Sequence, residues 1–151
     1  MAVTVLSGDL FQSKAQTLTN AVNCAGVMGK GIALAFKQRF PDMYADYVLR
    51  CERKEVQLGK PYVYKGASLP LILNFPTKDH WRDKSNLDSI AQGLDYLLKH
   101  YREWGIESLA VPALGAGLGQ LEWGIVEPVL NRYLSRMDMS IELYIPQDLP
   151  H

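Results

Sequence analysis

The segment Gly26-Val27-Met28-Gly29-Lys30-Gly31-Ile32-Ala33 sets three glycines between an apolar run that ends at Asn23 and a helix-like run that begins at Gly31. Glycine-rich turns at a helix start let backbone N–H groups approach phosphate oxygens where the helix dipole is positive. Two common nucleotide signatures fail here. A Walker A motif requires a glycine five residues before its Gly-Lys and a Ser or Thr after it, but Cys24 and Gly31 occupy those places. The Rossmann spacing Gly-x-Gly-x-x-Gly is also absent, because the order is Gly26-x-x-Gly29-x-Gly31. The segment therefore reads as a phosphate-friendly strand-to-helix turn outside both signatures.

Working outward, "TLTNAVN" predicts a strand ending at Asn23, and "AVTVLSGD" predicts an earlier one over Val3 to Leu6. Downstream, Gly31 to Phe40 reads as a buried helix stopped by Pro41, which opens a second helix reaching Arg53. "PYVYKG" and "LPLILNFPT" read as strands around a turn, and the apolar run Leu69 to Phe75 suggests a central strand covered on both faces. After the polar loop "KDHWRDK", Ser85 is expected to cap a long helix, with Asp88 completing a weak capping box. Leu87, Ile90, Ala91, Leu94, Leu97, Leu98 and Tyr101 follow the 3.6-residue period of that helix. "ESLAVPAL" is a further strand running into the glycine-rich "LGAGLGQL"; a helix from Glu122 to Met137 and a strand "IELYIP" close the chain.

Alternating strands and helices predict an α/β domain, a largely parallel twisted sheet between helix layers, with ligands at the carboxyl ends of the strands. Three polar or glycine-rich segments follow such ends: Asn23 to Gly31, Thr77 to Lys84, and Gly115 to Gln120. They are expected to converge on one cleft. Residues 1–151 fit one domain, large enough to bury roughly 70% of its unfolded surface. Sixteen basic against sixteen acidic residues exclude a protein that grips long nucleic acid by a broad basic surface. Two cysteines without an N-terminal signal pattern suggest a reduced, cytoplasmic setting, and no apolar run approaches the roughly 20 residues of a membrane span. His80, His100, His151, Cys24 and Cys51 show no metal-ligand spacing, so neither a metal nor a cofactor is expected. Cys24 reads as a small packed thiol rather than a nucleophile, and Trp104 and Trp123 as packing residues.

With these loops in place, "SGDLF", "AVNCAG…MGKGIA" and "PALGAGLGQLEW" resemble, in order and spacing, the three ligand-contacting segments of the macrodomains. The resemblance covers nearly the whole chain and implies a three-layer α/β/α fold with a mixed, largely parallel central sheet that binds ADP-ribose. "MGKGIALAFKQRFP", "GLGQLEW" and "NFPTK" are similar to the branch that holds the terminal ADP-ribose protein glycohydrolase and the DarG-type antitoxins. The activity implied is removal of ADP-ribose from thymidine bases in single-stranded DNA, reversing a DarT-type toxin. That toxin would be held by a further domain, the chain being an N-terminal fragment of a longer antitoxin and itself a monomer. An ADP-ribose reader without turnover and a hydrolase of ADP-ribosylated protein side chains are the alternatives.

The same resemblance distributes roles. Asp9 would accept from the adenine amino group, with Leu10 beside it. Gly29, Lys30, Gly31 and Ile32 would offer backbone N–H groups to the pyrophosphate and distal ribose. Pro112, Leu114, Gly115, Ala116, Gly117, Leu118 and Gly119 would clamp the other side, with Thr77 nearby. Lys78 in "NFPTK" would act at the anomeric carbon of the distal ribose as the base departs, a Schiff base being one route, and Asn23 would orient that ribose. A nucleophilic lysine must lose its proton, which desolvation or the neighbouring Arg82 and Lys84 would favour. Stacking of Trp81, beside His80, on a nucleobase, with Arg82 and Lys84 on phosphates, would suit a single strand. Gly119 stands where the protein glycohydrolase carries an aspartate, which argues against that enzyme's substrate.

Overall fold

The computed structural model describes residues 3–145, so Pro146 of the expected last strand and His151 lie outside the described residues. Among these residues the elements are β1 (Val3–Ser7), β2 (Thr17–Asn23), α1 (Gly31–Arg39), α2 (Pro41–Glu52) and β3 (Tyr62–Tyr64). There follow β4 (Leu71–Lys78), α3 (Leu87–His100), β5 (Ser108–Pro112), α4 (Trp123–Leu134) and β6 (Ser140–Ile145). One six-stranded sheet has the order β1-β6-β5-β2-β4-β3, parallel except for β3, which pairs antiparallel with β4 at the edge. The expected mixed, largely parallel α/β/α sandwich is therefore the observed one.

The two-residue period of a strand divides the core. Leu73, Phe75, Leu109, Val111, Ile141 and Leu143 face one side and pack on α3 and α4. Ile72, Leu18, Val22, Ala110 and Tyr144 face the other and pack with Phe36 of α1 and Met43 and Tyr47 of α2. Pro41 occupies the first turn of α2, where its missing N–H leaves nothing unpaired.

Several boundaries depart from the sequence reading; β4 begins at Leu71 and leaves Leu69, at the head of the apolar run, exposed outside the strand. Asn86, not Ser85, caps α3, its side-chain oxygen accepting from the Ser89 N–H at 3.1 Å. Ser85 is turned inward instead, and its backbone N–H donates to the Gly119 carbonyl at 2.9 Å. Helix α4 stops at Leu134 rather than Met137, because Arg136 and Met137 donate three residues back, to Tyr133 and Leu134. Strand β5 ends at Pro112: Leu114 N–H folds back onto the Pro112 carbonyl at 2.8 Å, and Gly115 follows at φ +76°.

Candidate active site

Strand pairing sets Asn23 and Lys78 opposite each other. The register of β2 on β4 shifts at Val22/Asn23, so that Asn23 lies opposite Lys78 at the carboxyl edge of the sheet. Cys24 N–H then donates to the carbonyls of both Lys78 and Asp79, at 3.1 and 3.0 Å, tying the first loop to the lysine-bearing one.

The first loop is shaped from within by Asn23. Its Nδ2 donates to the Val27 carbonyl at 2.8 Å, and its Oδ1 accepts from Ala25 N–H at 3.0 Å. The Tyr47 hydroxyl, on fully buried α2 surface, donates to the Asn23 carbonyl and side-chain oxygens at 2.7 and 2.9 Å. Burial holds the Tyr47 phenol well above its ordinary pKa, so it remains a donor. Met28 plugs the underside of the loop, 1% exposed. Beyond it α1 starts without a side-chain cap, and the amides of Gly31, Ile32 and Ala33 donate to no acceptor among the described residues. A helix start of this kind, with its dipole positive, favours a negative group.

The second loop curls through Gly115, Gly117 and Gln120, all at positive φ, into a short 3-10 turn at Gly117–Gly119. Leu118 at its crest is 57% exposed, and a Cβ on Gly31 would stand 2.9 Å from Leu118 Cδ1. The loops therefore meet at Gly31, where no side chain stands between them. Lys78, half-buried, donates from Nζ to the Leu118 carbonyl at 3.5 Å. The three segments touch one another at this junction.

Beside this junction runs a cleft of about 330 Å³ lined by Asp9, Leu10, Gly31, Ile32, Pro112 and Tyr144. One Asp9 carboxylate oxygen accepts from Phe11 N–H at 2.9 Å, and the other has no hydrogen-bond partner among the described residues. Not every named residue offers its side chain. Leu114 is core, 1% exposed, and the buried Thr77 hydroxyl turns back to the Val22 carbonyl at 3.4 Å. Asn23 spends its amide on the loop itself and so shapes the loop from within.

At position 119, a Cβ would stand 2.5 Å from Ser85 Oγ and 3.1 Å from its Cβ, so no carboxylate fits there unless Ser85 moves. Cys24 is not a nucleophile: burial and the neighbouring Asp79 carboxylate push its thiol up to about 12. On the far side of Lys78, His80 N–H donates to Asp83 and Arg82 N–H to His80 Nδ1, a turn that presents Trp81, 43% exposed, with Arg82 4.6 Å from its ring centre. Lys84 is exposed in the same turn.

Tyr47, Tyr144 and Arg39 were not singled out by the sequence. Tyr47 sits four residues after Met43 on α2, and that spacing reads simply as helix core. Replacing Tyr47 with phenylalanine leaves the Asn23 oxygens short of a buried donor. The expected loss is about 1–2 kcal/mol of stability, read by thermal unfolding.

A macro domain family model matches residues 19–130. The chain belongs to the macrodomain family. Among curated relatives, the Mycobacterium tuberculosis "DNA ADP-ribosyl glycohydrolase" is 45% identical over 148 residues, 95% of this macrodomain and 42% of the relative. A Thermosipho africanus "DNA ADP-ribosyl transferase-DNA ADP-ribosyl glycohydrolase fusion protein" is 42% identical, again over 95% of the chain and 42% of the relative. The chain thus spans about two fifths of the length of these curated relatives. Among solved structures, the macrodomain of Mycobacterium tuberculosis DarG superposes with a TM-score of 0.91 at 45% identity, covering 95% of this chain and 97% of that one. Thermosipho africanus DarTG in complex with ADP-ribose gives 0.92 at 42% identity, covering 98% and 43%.

Proposed function

We propose that this macrodomain is a DNA ADP-ribosyl glycohydrolase, removing ADP-ribose from thymidine bases in single-stranded DNA and so acting as antitoxin to a DarT-type DNA ADP-ribosyltransferase. The observation that carries the reading is the placement of Lys78 Nζ against the second glycine loop, beside Asn23 and the uncapped start of α1. Likeness above 40% identity over 95% of the chain to proteins named for this activity supports it. In this reading adenine lies by Asp9, the pyrophosphate meets the amides of Gly29 to Ile32 and of the Gly115 to Gly119 loop, and the distal ribose faces Asn23 and Lys78.

Lys78, as the free amine, attacks the anomeric carbon of the distal ribose. The bond to the thymine nitrogen breaks, thymine takes a proton, and the ribose ring opens to leave a Schiff base on Nζ. Water adds to that imine, releasing ADP-ribose and the free lysine. The exposed Trp81 stacks on a nucleobase flanking the modified thymidine, and Arg82 and Lys84 meet phosphates. Among the described residues no group of three or more His, Cys, Asp or Glu is arranged to hold a metal ion. No helix among the described residues is long and apolar enough to cross a membrane. A reduced, cytoplasmic setting suits the two free cysteines, and the toxin itself is assigned to a part of the antitoxin outside this single, monomeric domain.

The substrate is tested by presenting an oligonucleotide with ADP-ribosylated thymidine and a glutamate-ADP-ribosylated peptide at equal concentration and following free ADP-ribose by mass. Preferential release from DNA supports the reading, while preferential release from the peptide points to the protein-directed hydrolase. Trp81→Ala is expected to raise KM for the oligonucleotide about 5- to 100-fold, the worth of one stacked base. Affinity for free ADP-ribose should not change.

A further inference from the structure

The ADP-ribose cleft shares a wall with a second cleft of about 310 Å³, and Phe11 and Arg39 line both. The Arg39 guanidinium carbon lies 4.2 Å from the centre of the Phe11 ring, and Phe11 is backed at 4.7 Å by the fully buried Phe36. A guanidinium laid on a ring braced in this way has a defined plane. One face is spent on Phe11, and no carboxylate pairs with Arg39 among the described residues. An exposed arginine in the last turn of a helix is ordinarily explained by the helix dipole alone. Two things go beyond that explanation: the support from Phe11, and the position on the cleft wall.

The same cleft carries the Asp9 carboxylate, one oxygen of which has no hydrogen-bond partner among the described residues, and apolar surface from Leu10, Ile32, Ala35 and Tyr144. An acceptor, a flat unpaired cation and apolar walls together match a purine with an exocyclic amino group. The amino group donates to the carboxylate, and the electron-rich ring attracts the cation's face. A phosphate matches less well, since Asp9 would repel it.

We infer that Arg39 is a specificity-determining residue for the adenine end of the substrate, stacking on the base with Phe11 behind it. The inference rests on reading this cleft as the ADP-ribose site. The contact is made to the base, so the loss on substitution follows the base and not the phosphates.

The test titrates the protein, Arg39→Ala and Arg39→Lys with ADP-ribose by calorimetry, and with AMP and ribose 5-phosphate by amide chemical shifts. Arg39→Ala is expected to weaken ADP-ribose and AMP about ten-fold, to leave ribose 5-phosphate within about two-fold, and to be rescued little by lysine, which lacks the planar face. Unchanged ADP-ribose affinity in Arg39→Ala overturns the inference. So does an equal loss for ribose 5-phosphate, or full rescue by lysine, either of which would assign the residue to charge alone. Failure of the unsubstituted protein to bind ADP-ribose would instead remove the functional reading, and this inference with it.

Discussion

Lys78→Ala is expected to slow release of ADP-ribose from modified single-stranded DNA by at least about 10³-fold, equivalent to about 4 kcal/mol of barrier. Affinity for ADP-ribose should stay within about three-fold. The asymmetry follows from position. Lys78 is the last residue of β4, its Nζ reaches only the Leu118 carbonyl among the described residues, and the groups assigned to the pyrophosphate are backbone amides from other segments. Sodium cyanoborohydride added during turnover should fix an ADP-ribose adduct on Lys78 of the parent protein, detected by peptide mass. A protein that turns over without leaving that adduct would exclude the Schiff base and restrict Lys78 to a non-covalent role.

Gly115→Ala is expected to cost about 3 kcal/mol of stability, lowering Tm by roughly 6–12 °C, and to weaken ADP-ribose binding. Two penalties combine. Gly115 holds φ +76°, a conformation L residues rarely adopt, and it is buried. An added Cβ would overlap Ile90 Cδ1 and stand 2.9 Å from Leu121 Cδ1, neither free to leave a packed core. Gly117→Ala is the contrasting variant: its φ is also positive, at +64°, but a Cβ there meets nothing within 4 Å. Its loss should be confined to the backbone strain, about 1 kcal/mol. Differential scanning calorimetry of the two separates strain from overlap.

What the sequence made legible was the part governed by periodicity and by glycine. Of the apolar run Leu69 to Phe75, the part from Leu71 is the strand covered on both faces while Leu69 lies exposed before it, and the 3.6-residue pattern of α3 was recoverable from its leucines alone. The glycine loops announced themselves because their positions need positive φ, close approach, or both. Ser85 misled because capping preference is local, whereas its fate was decided by Gly119, 34 positions along the chain. Tyr47 and Arg39 stayed hidden for a related reason. Their partners, Asn23 and Phe11, lie on segments that meet them only in the folded chain, and a tyrosine or arginine at helical spacing reads as core or solvated face. The Asn23–Lys78 juxtaposition depended on a register shift in β2, which the strand pattern does not encode.

The most direct measurement of the central claim is a multiple-turnover time course of the unsubstituted protein with excess single-stranded oligonucleotide carrying ADP-ribose on thymidine. Free ADP-ribose and restored thymidine are both followed by mass. Release of many equivalents of ADP-ribose per protein, matched by unmodified oligonucleotide, is the expected result. Tight binding of ADP-ribose with no release, or release that stops at one equivalent, would contradict the account and leave a module that reads ADP-ribose without removing it.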